Sequence, residues 1–339
     1  MNVLMTGAEG YIGTVLASLL IESGHTVTGI DTGFYRNGWL YNGIRYLPAI
    51  INKDTRQIEI KDLKGFDAIV HLADLSNDPI GQLNPEVTYR INRDGSIHLA
   101  ELSKKAGVQR YVYSSSCSVY GTGNEDWKTE ESEVNPQTVY AECKAMVEQH
   151  LKILADENFS PVFLRNATAY GASPRMRFDL VLNNLSGLAW TIKEINMTSD
   201  GSPWRPLVHV RDIARAMKFV LEAPKQNIHN QIFNVGDNNE NYQVRDVAKI
   251  VSETFPGCSL SIGKSDSDNR SYRVRFDKIN KIGYKTSVTL REGAQQLHDI
   301  FTRIDMTDEM FKFNPYTRLK QIQYLIRVKE IDEELFWRF

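Results

Sequence analysis

The sequence predicts an α/β fold, a doubly wound parallel sheet with a smaller, interleaved C-terminal α/β domain. Three observations carry this. Short β-rich runs alternate with helical patterns through the first half of the chain; a glycine-rich turn separates the first such run from the first helical pattern; and after about residue 166 the elements shorten and prolines punctuate them. Asn2 to Thr6, Thr26 to Asp31, Asp67 to Ala73 and Arg110 to Ser115 read as strands. Between the first two, Ile12, Leu16, Leu19 and Leu20 recur at helical spacing, and Gly24 sits where such a helix would stop. A longer helical stretch is expected from Pro85 to Lys105, with Leu99, Leu102 and Ala106 on one face, and another from Val139 to about Asp156. Ser160 to Arg165 adds a strand. Pro174, Pro203 and Pro206 then break the pattern, and the helix-like Arg211 to Leu221 and Val244 to Thr254 flank a strand-like Gln231 to Val235.

Length and composition bound the function. The 339 residues allow about two domains of ~150 residues each. Residues 1–165 are expected to form the first, with later segments returning to it, and residues 166–339 the second together with a tail from Asp305 onward. That tail mixes aromatics with charges and suits packing on the body or on a second subunit. Forty Lys+Arg against 42 Asp+Glu leave a formal net charge of −2, so there is no overall basic field to grip nucleic acid or an anionic membrane. Cys117, Cys143 and Cys258 have no C-x-x-C spacing, which argues against a disulfide framework and against a metal site. A reducing cytoplasm is the expected home, with neither an export signal nor a membrane span.

The turn Thr6-Gly7-Ala8-Glu9-Gly10-Tyr11-Ile12-Gly13 follows the first strand and opens the first helix. Gly7 permits the tight turn, Gly10 lets backbone approach a pyrophosphate, and Gly13 allows close helix–strand packing; this is a Rossmann-type fingerprint. The helix N-terminus beginning at Tyr11 and Ile12 would supply N–H groups and partial positive charge to phosphates. Asp31, ending the second strand, suits the two hydroxyls of an adenine ribose and repels a 2′-phosphate, which favours NAD. Two alternatives stand beside this: Asp31 as a simple loop cap, and NADP held through nearby Arg36.

Further along come Tyr113-Ser114-Ser115-Ser116-Cys117-Ser118-Val119-Tyr120-Gly121 and then Tyr140-Ala141-Glu142-Cys143-Lys144, which places Tyr140 and Lys144 one helical turn apart. Alone, such a Tyr/Lys pair is common. After a dinucleotide turn it has a chemical reading, because an alcohol losing hydride must also lose its hydroxyl proton, and a tyrosine of pKa ~10 is a poor base near neutrality. Lys144 and a positive nicotinamide ring would stabilise a Tyr140 phenolate, and Ser116 would hydrogen-bond the reacting oxygen.

With these residues in view, the chain resembles the extended short-chain dehydrogenase/reductase superfamily, specifically its nucleotide-sugar epimerase/dehydratase branch. The resemblance spans roughly residues 1 to 300 and rests on TGAEGYIG, Asp31, Asp54, the His71–Ala73 triplet, Asn92, SSSCSVYG, Tyr140/Lys144 and the run from Trp204 to Asp212. It implies that Asp54 approaches the adenine and that Leu72, Ala73 and Asn92 line the cofactor. It also implies a nucleotide-diphospho-sugar substrate in the C-terminal domain, with Arg205 on its diphosphate, and a homodimer paired through the long helices. Asn166, Arg177 and Arg270 are further candidates for substrate contact; for the arginines, a solvated loop is the competing reading.

Departures from the family pattern narrow the chemistry. Related dehydratases place Asp-Glu directly after the residue matching Ser116, where this chain has Cys117-Ser118. A thiol could donate a proton, but the adjacent carboxylate base is missing, and Cys117 reads more simply as a small buried residue. Thr168 stands where many relatives carry Asn. The expected reaction is therefore NAD-dependent C4 oxidation to a 4-keto sugar, by a 4-epimerase or a C4 dehydrogenase. The alternatives are a dehydratase using Cys117 and a non-catalytic NAD sensor.

Overall fold

The computed structural model describes residues 1–76, 78–122, 127–265 and 271–338. Its first half consists of β1 (Asn2–Thr6), α1 (Tyr11–Glu22), β2 (Thr26–Asp31), β3 (Ala49–Asn52), β4 (Ala68–His71), α2 (Ser96–Lys105), β5 (Arg110–Ser116), α3 (Val139–Leu154) and β6 (Ser160–Asn166). The stretch expected as one helix from Pro85 to Lys105 is helical throughout but not uniform: a turn at Pro85–Thr88 passes through a π-helical Tyr89–Gly95 before α2. The second half consists of β7 (Thr168–Tyr170), α4 (Val181–Thr191), β8 (Glu194–Ser199), β9 (Trp204–His209), α5 (Val210–Glu222), β10 (Gln231–Val235), β11 (Asn241–Gln243), α6 (Val244–Thr254), β12 (Ser259–Ser265), α7 (Leu290–Ile304) and α8 (Arg318–Arg327).

Seven strands form one parallel sheet in the order β10-β6-β5-β4-β1-β2-β3. Buried on both faces, its central strands read as nearly continuous apolar runs rather than alternating ones. The alternation survives in which face each residue serves. Val3, Met5, Val70, Val112, Val162 and Leu164 meet α1 and α5 on one side, while Leu4, Ile69, Tyr111, Tyr113 and Phe163 meet α2 and α3 on the other. α5 offers Ile213, Ala214, Met217, Val220 and Leu221, an apolar stripe at helical spacing, against Leu16, Ala17 and Leu20 of α1. At about 1.5–3 kcal/mol per fully buried large aliphatic side chain, this pairing commits α5 and β10 to the first sheet although both lie beyond residue 165.

A second core gathers α4, α6 and α7 around two small sheets, β7-β9-β11 and β8-β12. Leu182, Val247, Val251, Phe255, Leu297 and Phe301 fill it. The segment after α7 returns to the first half. Ile322, Leu325, Ile331 and Leu335 pack with Phe34, Leu75, Val87 and Ile91, and the tail is thereby placed on the body of its own chain.

Candidate active site

In a doubly wound sheet the strand order reverses at one point, and the loops leaving the strands there part to form a crevice. Here the reversal lies between β1 and β4, and a cleft of about 330 Å³ opens at their C-terminal ends. Gly7, Gly10, Tyr11, Ile12 and Gly13 line it, with Asp31, Asp54, Leu72, Ala73, Ser116, Tyr140, Lys144, Asn166 and Arg177. Residues expected at the cofactor, the reacting carbon and the substrate thus share one cavity.

The glycine turn is locked from within. Gly7 has φ +71°, its N–H donates to Ile30 O at 2.8 Å, and its own carbonyl lies where a Cβ on Gly13 would stand at 2.1 Å. Gly10 caps α1 without any side-chain hydrogen bond, so the first main-chain N–H groups of the helix remain directed at the cleft. The Tyr11 ring points elsewhere: its hydroxyl donates to Gly171 O at 2.6 Å and ties the turn to the second core. Asp31 accepts from Gly33 N at 2.8 Å and Glu9 N at 3.0 Å, one bond per carboxylate oxygen, which leaves each oxygen room for a ligand hydroxyl. Its pKa is nonetheless raised by burial. Arg36 pairs with Asn52 and Glu9 and does not line the cleft. Asp54 caps a short 3-10 turn and holds Arg56 with bonds of 2.9 and 2.8 Å.

Thr138 starts α3 by accepting from Ala141 N at 3.3 Å, which puts Tyr140 in the first turn and Lys144 one turn on, at the cleft wall. Lys144 Nζ lies 5.6 Å from the Tyr140 ring centroid and bonds Ser114 O and the carboxylate of Asp74. Burial pushes Tyr140 upward, with Lys144 the leading opposing influence. Asp74, absent from the sequence reading, is equally buried; desolvation raises it to about 6 against the pull of Lys144. Ser116 Oγ accepts from Ser118 N at 3.1 Å, and Asn166 Nδ2 donates to Ser114 Oγ at 3.1 Å. Three buried polar atoms on lining residues, Asp74 Oδ1, Ser118 Oγ and Asn166 Oδ1, have no hydrogen-bond partner among the described residues. Orphans of this kind are costly unless a ligand rich in hydroxyls and amides completes them.

Other expected residues stand apart from the cleft. Asn92 is fully buried outside the lining, accepting from Leu75 N at 2.8 Å and donating to Leu75 O at 3.1 Å, and so fixes the loop after β4. Arg205 on β9 lies over Tyr272 at 5.9 Å and donates to Trp204 O, outside the lining, because it sits in the part of β9 that pairs with β11, opposite Tyr242, and not in the part beside Thr168. Arg270 falls outside the described residues. The Cys117 thiol faces the sheet core, donating to Arg165 O at 3.2 Å, and burial pushes its pKa well up. His71, between Thr6 and Ser96, is held neutral, with burial pushing it down to about 3. Among the described residues no helix is long and apolar enough to cross a membrane, and no cluster of His, Cys, Asp and Glu suits a metal.

Comparison with known proteins gives the family and the fold. The profile described as the NAD dependent epimerase/dehydratase family matches residues 3–236. A putative UDP-glucose 4-epimerase of Methanocaldococcus jannaschii is 25% identical over 311 residues, covering 87% of this chain and 96% of that protein. The solved structure of MoeE5 in complex with UDP-glucose and NAD superposes with a TM-score of 0.76 at 24% identity, over 90% of this chain and 100% of that one. A dTDP-glucose 4,6-dehydratase from Streptomyces venezuelae, solved with NAD bound, gives 0.76 at 21% identity over 89% and 97%. The two structural likenesses establish the fold.

Proposed function

Because the chain belongs to the NAD-dependent epimerase/dehydratase family, we propose that it is a nucleotide-diphospho-sugar 4-epimerase or C4 oxidoreductase. NAD is the cofactor, and when bound it supplies the acceptor, and on return the donor, of the hydride at the sugar carbon. The single observation that carries the choice is the composition of the wall around Tyr140. Ser116, Ser118, Asn166 and Thr168 face the cleft there, while Cys117 is turned into the core. Elimination of water needs an acid and a base beside the substrate, and the described residues next to Ser116 offer neither; proton transfer to and from one hydroxyl needs only Tyr140.

In this reading Tyr140 Oη receives the C4 hydroxyl proton and later returns it. The Lys144 ammonium lowers the cost of the phenolate formed in between. Ser116, its Oγ fixed by the Ser118 N–H, donates to the same sugar oxygen and holds it at hydrogen-bond distance from Tyr140. If the 4-keto sugar turns over before hydride returns, the product is the C4 epimer; if it leaves, the net reaction is oxidation.

The test is to mix the protein and NAD with UDP-, GDP-, dTDP- and CDP-sugars and to follow absorbance at 340 nm together with product NMR. A C4 epimer without lasting NADH is the expected result. Stoichiometric NADH with a 4-keto product would identify the dehydrogenase, and a 4-keto-6-deoxy product would overturn both.

A further inference from the structure

The segment after α7 brings an arginine into the cofactor cleft. Arg318, the first residue of α8, is 5% exposed and lines the same cavity as Gly10, Tyr11 and Ile12. Its guanidinium donates to Pro315 O at 2.9 Å and lies 4.0 Å from the Tyr35 ring centroid. A buried guanidinium is expected to meet a carboxylate or a phosphate. The carboxylate in this corner, Asp179, accepts instead from Arg177 Nε at 2.9 Å and from the Arg318 main-chain N–H at 3.3 Å. Two guanidinium groups thus share the neighbourhood of Asp179. Burial and the like charge of Arg177 lower the pKa of Arg318 to about 10, while Asp179 and Asp31 act the other way.

The position of Arg318 is built, not incidental. Gln321 Nε2 donates to Phe34 O at 2.9 Å, Trp337 Nε1 donates to Thr32 O at 2.7 Å, and Ile322 is fully buried against the first half. Both hydrogen bonds engage the loop that follows Asp31. Arg177 also holds the loop after β4, donating to Ser76 Oγ at 3.0 Å, and it acts electrostatically on Tyr140. The arginine pair therefore lies between the Asp31 end of the cleft and the Tyr140 end. It shares that cavity with the bare N-terminus of α1, and a guanidinium matches phosphate oxygens in geometry as well as charge.

We propose that Arg318 is a cofactor-binding residue that engages the NAD diphosphate opposite the α1 N-terminus, so that the C-terminal segment is part of the cofactor site. This rests on the placement of NAD in the cleft, and the test separates the two. The full chain, stripped of nucleotide, is titrated calorimetrically with NAD, ADP and adenosine as wild type, Arg318→Gln and Arg318→Lys. Loss of one charge-assisted hydrogen bond predicts NAD and ADP binding about 10- to 100-fold weaker in Arg318→Gln, adenosine within about 3-fold, and an intermediate Lys variant. Unchanged NAD and ADP affinities would overturn the proposal. So would an equal loss for all three ligands, which would make Arg318 a prop for Tyr35 and Pro315. A wild-type chain that binds neither NAD nor ADP would instead overturn the cofactor placement itself.

Discussion

Asp74 and Lys144 form the least predictable contact in the cleft. They are 70 residues apart, and a carboxylate three residues past the end of a strand reads in sequence as an ordinary loop polar group. Only the parallel register of β4 beside β5 and the docking of α3 bring them together. The ammonium that favours a Tyr140 phenolate is therefore opposed, inside the same cavity, by a charge that disfavours it. Asp74→Asn removes that opposition. Its pH–rate profile is expected to lose an inflection near pH 6, where wild-type Asp74 titrates, and the limb on which the rate rises as Tyr140 deprotonates is expected to move to lower pH. Tyr140→Phe is expected to lose roughly 10²- to 10⁴-fold in kcat with NAD affinity retained. An Asp74→Asn profile identical to wild type would show that the carboxylate only holds Lys144 in place.

Elements were legible where their signal is local. β1 and β2 run from Asn2 to Thr6 and from Thr26 to Asp31, as read from their β-rich runs between turn residues, and Tyr140 and Lys144 share a helix as their spacing predicts. The π-helical stretch at Tyr89–Gly95 was not, because the extra residue per turn leaves the composition helical. Caps that come from elsewhere in the chain were equally hidden. Glu240 accepts from Leu290 N at 2.9 Å, at the start of α7, although 50 residues separate them. Burial raises its carboxyl to about 7. With the folded pKa above the unfolded value, the protonated form stabilises the fold; that contribution is present below about pH 4.5 and is lost as pH rises through about 7. Glu240→Gln keeps an acceptor for Leu290 and removes the titration. Urea unfolding is expected to show the variant gaining on wild type by on the order of 2 kcal/mol between pH 5 and pH 8. A difference independent of pH would exclude the buried carboxyl as its source.

At the scale of the molecule, the tail was the part the sequence left open, and the reason is physical. Its apolar residues Ile322, Leu325, Ile331 and Leu335 have no partners nearby in sequence, and amphipathic pattern alone does not say which surface a helix will cover. The surface proves to be the loop after β2 together with the helical segment before α2. Ile322→Ala is expected to cost about 2–4 kcal/mol in stability. NAD binding is expected to weaken with it, since Arg318 is held by the same helix; the check is denaturant unfolding paired with calorimetry. Stability lost without any change in NAD affinity would separate the tail from the cleft.

The anchors of that tail reach 287 residues back to Phe34 and 305 residues back to Thr32. At a synthesis rate of about 5–20 residues per second, roughly 15–60 s elapse between the emergence of the Asp31 loop and that of the segment that covers it. During this interval the nascent first sheet exposes Phe34, Leu75 and Ile91, apolar surface that the finished protein hides. The chain is then most open to mispairing and to chaperone capture, and the nucleotide cleft reaches its final form only when the segment carrying Gln321 and Trp337 has docked.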